Sequence, residues 1–113
     1  MGNAKVKASK VKVIQPPEGS GGLDGRFHVY LFDVFNQEFL GGRPFETVER
    51  AVAFQRHEQE HIYLVQEADP ELFDLPFISA DPDLVNRVAR DPAYKQRLIR
   101  ELTPEARARG RKR

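Results

Sequence analysis

The chain has 113 residues, no cysteine, and a net charge of only +1 from 18 Lys and Arg against 17 Asp and Glu. A chain of this length folds as one domain with a modest core. Without cysteine there is no disulfide framework, no thiol nucleophile and no cysteine-ligated zinc. No run is apolar for long enough to span a membrane, and no secretory leader can be made out at the start, so a cytoplasmic protein without membrane attachment is expected.

The charge is unevenly spread. Residues 1–17 carry +4, residues 18–56 carry −2, residues 57–86 carry −8 and residues 87–113 carry +7. An acidic belt thus lies between two basic ends.

Met1 to Lys10 reads as a flexible basic arm, with Lys5, Lys7 and Lys10, and Lys12 just beyond it. Val11, Val13 and Ile14 alternate well enough for a short strand that Pro16-Pro17 stops, and Glu18 to Gly25 reads as a loop. Phe27 to Phe35 follows with period-two alternation of aromatic and β-branched residues, the pattern of a strand. Both of its faces are apolar, so either both are covered or one is a contact surface. Asn36-Gln37 offers a turn, Glu38 to Leu40 a return strand, and Gly41-Gly42 its end.

Thr47 is placed to cap a helix whose inward stripe is Val48, Ala51, Val52, Gln55, Gln59 and Ile62. Beyond it, Asp69-Pro70, Asp81-Pro82, Asp91-Pro92 and Thr103-Pro104 repeat one device, a capping side chain before a helix-starting proline. They predict short helices over about 82–90, with Leu84, Val85 and Val88 inward, and about 92–102, with Tyr94, Leu98, Ile99 and Leu102 inward. Leu72, Phe73, Leu75, Phe77 and Ile78 form an apolar run within the belt, read either as a strap across the core or as a protein-contact segment.

Together these elements predict an α+β domain over residues 11–102. It has a small antiparallel sheet of two or three strands on one long helix, then a C-terminal string of short helices and a basic tail over 103–113.

One motif carries chemistry. His57-Glu58-Gln59-Glu60-His61 fits H-E-x-x-H, in which two imidazoles one helical turn apart hold zinc and the glutamate acts as base on its water. Against it, His57 and His61 fall away from the helix's apolar stripe, and no third ligand is evident among His28, Glu67, Asp69 and Glu71. The remaining alternatives are a solvated face or a surface metal site without catalysis. No cofactor, resident metal or catalytic residue is therefore assigned.

The expected function is non-catalytic binding, as an adaptor or inhibitor. The acidic belt and Leu72, Phe73, Leu75, Phe77 and Ile78 would meet a protein partner. Lys5, Lys7, Lys10, Lys12, Arg107, Arg109, Arg111, Lys112 and Arg113 would attach to nucleic acid by neutralising phosphates. The alternative is a zinc hydrolase using the His57–His61 motif. An aromatic platform of His28, Tyr30 and Phe32 on one strand face is a further candidate for base stacking, set against packing beneath the C-terminal helices.

Overall fold

The computed structural model describes residues 11–66 and 74–111. In chain order the elements are β1 (Val13–Ile14), β2 (Phe27–Asp33), β3 (Glu38–Phe45), α1 (Val48–Gln66), β4 (Asp74–Ser79), α2 (Leu84–Arg90) and α3 (Pro92–Arg111). The four strands form one mixed sheet in the order β1-β4-β2-β3. β4 runs antiparallel to β2, with Tyr30 opposite Phe77, and parallel to β1, with Val13 opposite Ile78.

The domain is α+β as expected, but the sheet is larger and mixed. The difference lies in β4. Its central residues Leu75 to Ile78 are apolar on both sides, and all but Asp74 are buried, because the strand is covered by helices on both faces. Such a run has no polar alternation, and a proline sits inside it. That proline is tolerated because β1 covers β4 only at Ile78 and Ser79, leaving one edge of β4 open at Pro76. Gln55 of α1 uses the gap, donating from Nε2 to the Pro76 carbonyl at 2.9 Å.

The alternation of β2 divides the core in two. Val29 and Ile78 point to one face, where Ala51 lies against them with Val52, Phe54, Phe27 and Phe45 around the contact. Tyr30, Phe32, Phe39, Leu75 and Phe77 point to the other, beneath Leu84, Val88, Tyr94, Leu98, Ile99 and Leu102 of α2 and α3. Both apolar faces of β2 are therefore covered.

Asp33 closes the hairpin, accepting from the Asn36 amide at 3.0 Å and its side chain at 2.8 Å, while Gln37 takes the left-handed conformation at φ 57°. Gly41-Gly42 does not end β3. The strand continues to Phe45 through a bulge opposite Val29 and Tyr30. The two glycines have φ of 95° and 116°, and a Cβ on Gly42 would come within 3.0 Å of the Tyr30 ring, so glycine is required there. The bulge and Pro44 also blunt β3 as an exposed edge.

Thr47 caps α1 as expected, its Oγ1 accepting from the Arg50 amide at 3.2 Å. Asp91 does the same for α3, where Pro92 opens the helix and Tyr94 N donates to Asp91 Oδ1 at 3.2 Å. Thr103-Pro104 departs from the device. α3 runs on through it to Arg111, and the Thr103 hydroxyl donates back to the Ile99 carbonyl instead of capping a new helix. The C-terminal string of short helices is thus one short helix and one of 20 residues, which takes in most of the expected tail. Asp69-Pro70 lies outside the described residues.

Asp81 works differently again. Its carboxylate is fully buried and takes two bonds from Arg87, Nε at 2.6 Å and Nη2 at 3.2 Å, plus the Asp83 amide at 2.9 Å. The bond to Asp81 raises the Arg87 pKa, with burial opposing. The Asp81 amide donates to Ser79 Oγ at 3.0 Å, and its carbonyl accepts from the Tyr30 hydroxyl. That hydroxyl also accepts from Leu84 N at 3.3 Å; burial, with Asp81 and Asp83 nearby, pushes its pKa up to about 12.

Replacing Arg87 by Met leaves a buried carboxylate without its cation, so urea denaturation is expected to show a loss of about 3–5 kcal/mol. Arg87→Lys recovers only part, because an ammonium cannot make the forked contact. Among the described residues neither buried side-chain polar atom of Gln59 has a hydrogen-bond partner. Gln59→Met is expected to raise the urea-derived stability by about 1 kcal/mol, and a loss of stability would show that the amide is satisfied in solution.

Candidate functional site

Among the described residues, those expected to carry function do not gather in one place. On α1, His57 and His61 are both exposed and Glu58 is half-buried. Among the described residues no group of three or more His, Cys, Asp or Glu side chains is placed to hold a metal ion. His28 cannot serve as a third ligand. It lies on the opposite face of the sheet, buried beside Tyr30, with Nε2 at 3.0 and 3.1 Å from the Asp24 carboxylate oxygens. Burial opposes ionisation of Asp24, but the His28 bond and the Arg26 amide outweigh it and hold that pKa below the usual carboxylate value. Glu67, Asp69 and Glu71 lie outside the described residues.

The acidic belt is not one surface. Glu58 and Glu60 are on α1, Asp81 is buried with Arg87, and Asp83 is 3.4 Å from Arg90. A hydrogen bond from Asn86, and the Arg90 contact against some desolvation, lower the Asp83 pKa. Asp74 opens β4 directly opposite Asp33, the last residue of β2. Burial and the facing Asp33 charge raise its pKa.

Leu75, Phe77 and Ile78 are expected at a protein contact, and here the structure corrects the expectation toward its core alternative. They are 2%, 4% and 0% exposed in an inner strand, and presenting them to a partner would mean opening the sheet. Leu72 and Phe73 lie outside the described residues. The aromatic platform is likewise covered: Tyr30 and Phe32 are each 1% exposed, and Tyr30 stacks on Phe77.

Lys12 is exposed and pairs with Glu101 at 3.5 Å, joining the start of β1 to α3. Lys5, Lys7 and Lys10 of the expected basic arm, and Lys112 and Arg113 at the other end, fall outside the described residues. Arg107, Arg109 and Arg111 are register positions in the last turns of α3. Taking residues 103–113 as a tail hides that register.

At about 100° per residue, Arg97, Arg100, Arg107 and Arg111 fall within about 80° of one another. Their stripe lies opposite the buried Tyr94, Leu98, Ile99 and Leu102. Arg97 and Arg100 are exposed, and the Arg97 guanidinium rests over the Tyr94 ring at 5.1 Å. Arg109 falls on the other side, in line with Leu98 and Leu102. From Arg97 to Arg111 the stripe is about 21 Å long at 1.5 Å per residue.

Two grooves flank the bulge of β3. One, of about 340 Å³, is lined by Val29, Leu31, Arg43, Phe54 and Glu58 on the α1 side. The other, of about 350 Å³, is lined by Tyr30, Leu40, Pro82, Val85 and Asn86 on the α2 side. Arg43 stacks over Phe54 at 4.9 Å at the mouth of the first. Comparison with known proteins finds no matching family model, no similar curated protein and no similar solved structure.

The Asp33–Asp74 pair gives a pH dependence with a definite sign. An acid whose folded pKa is raised binds its proton more tightly in the folded state, so stability falls as pH climbs from the unfolded value, about 3.9, through the folded one. Asp74→Asn removes that penalty. The variant is expected to be more stable than the parent at neutral pH, with the advantage shrinking as pH falls toward 4, and urea midpoints at several pH values check it. An advantage that grows on acidification would mean that Asp74 is stabilised as the anion.

Proposed function

We propose that this chain is a non-catalytic binding protein that attaches to nucleic acid along the arginine stripe of α3. The observation that supports the reading is the one-sided register. Four arginines share the face opposite the helix's buried residues, and the inner part of that stripe, Arg97 and Arg100, is exposed. A row of arginine positions about 21 Å long on one helix face is long enough to meet several phosphates of a duplex, whose rise is about 3.4 Å per step. Arginine suits this role because its planar fork pairs with phosphate oxygens and keeps its charge at every physiological pH.

The chemistry favours backbone contact over base readout. The stripe carries no aromatic residue for stacking, since Tyr94 faces the core beneath Arg97. Binding is thus expected to be insensitive to sequence and strongly dependent on salt. The acidic residues do not oppose it as a belt would, because Asp81 and Asp83 are each paired with an arginine of α2.

Binding to a labelled duplex across a salt series tests the reading. Every phosphate left without its arginine lowers the slope of log K against log salt by about 0.9, so Arg107→Ala with Arg111→Ala is expected to flatten it by about 1.8. Arg109→Ala is expected to change it less than either. Equal effects at all three positions would show a disordered basic tail rather than a helical stripe. Failure to bind at low salt would overturn the nucleic-acid reading and direct the search to a protein partner.

A further inference from the structure

We infer that His57 and His61 form a two-histidine chelate for a divalent transition-metal ion on the outer face of α1. Both side chains are exposed, and they are one turn apart within a helix of 19 residues. Residues at this spacing have Cβ atoms about 5–6 Å apart, and imidazole nitrogens bind zinc at about 2.0–2.1 Å, so both rings can reach one ion without backbone movement. The helix beneath is already fixed. Thr47 caps its start, Ala51 is packed on the sheet, and Gln55 is tied to Pro76, so ordering the two ligands costs only side-chain rotation.

The surrounding charges favour a cation on balance. Glu58 and Glu60 lie between the two histidines in sequence, while Arg56 adjoins His57 and opposes it. Glu58 is half-buried and turned toward the groove with Phe54 and Arg43, and stands as a neighbouring anion rather than a ligand. With two protein nitrogens, the other coordination positions belong to water. This is a binding site of the imidazole type, suited to zinc, nickel or copper and not to magnesium or calcium. It is independent of the arginine stripe, since α1 and α3 cover opposite faces of the sheet.

The test is calorimetric titration of the full chain with zinc or nickel chloride, beside His57→Ala, His61→Ala and a magnesium control. The expected result is saturable binding of one ion per chain, at least tenfold weaker in each single variant, with no magnesium binding. Zinc is also expected to raise the melting temperature of the parent, because the ion binds the folded helix, and to raise that of either variant less at the same concentration. Both positions are exposed, so the variants are expected to keep the parent's circular dichroism spectrum. Absence of saturable binding would overturn the site. So would binding that either substitution leaves within threefold of the parent.

Discussion

The Asp81–Arg87 ion pair sits where the sheet, α2 and the return of the chain from β4 all meet. Arg87 brings α2 to the carboxylate, while the Asp81 backbone is held by Ser79 and by the Tyr30 hydroxyl of β2. Ser79 in turn donates to the Ile14 carbonyl at 3.1 Å, and the Ala80 amide reaches the same oxygen at 2.9 Å, so the parallel strand β1 is fastened at this corner. Tyr94 of α3 reaches toward Gln15 just beyond, at 3.4 Å. A fully buried carboxylate is costly to desolvate, and this one persists because its bonds are satisfied from two sides. Its contribution is to position: it ties α2 to the corner where β1, β2 and β4 meet.

The hairpin, α1 and the start of α3 were legible because each depends on neighbours in sequence. Alternation in Phe27 to Phe35, the Thr47 cap and the Asp91-Pro92 start are local signals with local causes. β4 was not legible for the opposite reason. Asp74 to Ser79 is a strand only because β2 and β1 lie on either side of it, and its run of buried residues reads the same in a strap, a strand or an exposed contact. The bulge at Gly41-Gly42 is similar: glycine pairs usually end strands, and here they let β3 bend past the Tyr30 ring.

Pro104 marks the largest difference at the C-terminus. A proline after threonine reads as the start of a new helix, and inside one it forfeits a backbone hydrogen bond and crowds the carbonyl four residues earlier, so the continuation of α3 through Pro104 needs the preceding turn to be anchored. Leu98, Ile99 and Leu102 provide that anchor by packing on the sheet face, and the Thr103 hydroxyl holds the Ile99 carbonyl. The basic residues beyond then acquire a helical register, which changes what their spacing means. As a tail, Arg107, Arg109 and Arg111 are equivalent. As a helix, Arg109 is set apart from the other two.

Charge counting along the sequence misled in the same way. Asp81 and Asp83 belong to the most acidic stretch, but folding pairs both with arginines from the most basic one, so two of the belt's charges and two of the basic end's cancel locally. What remains unbalanced is set by topology rather than composition. α1 covers one face of the sheet with its apolar stripe inward and turns His57 and His61 out. α2 and α3 cover the other, and α3 turns Arg97 and Arg100 out. A three-layer arrangement with the sheet buried in the middle leaves the outer helix faces as the surfaces where polar side chains are free to meet other molecules. The arginine stripe and the histidine pair share no residue and no layer, so loss of one is expected to leave the other intact.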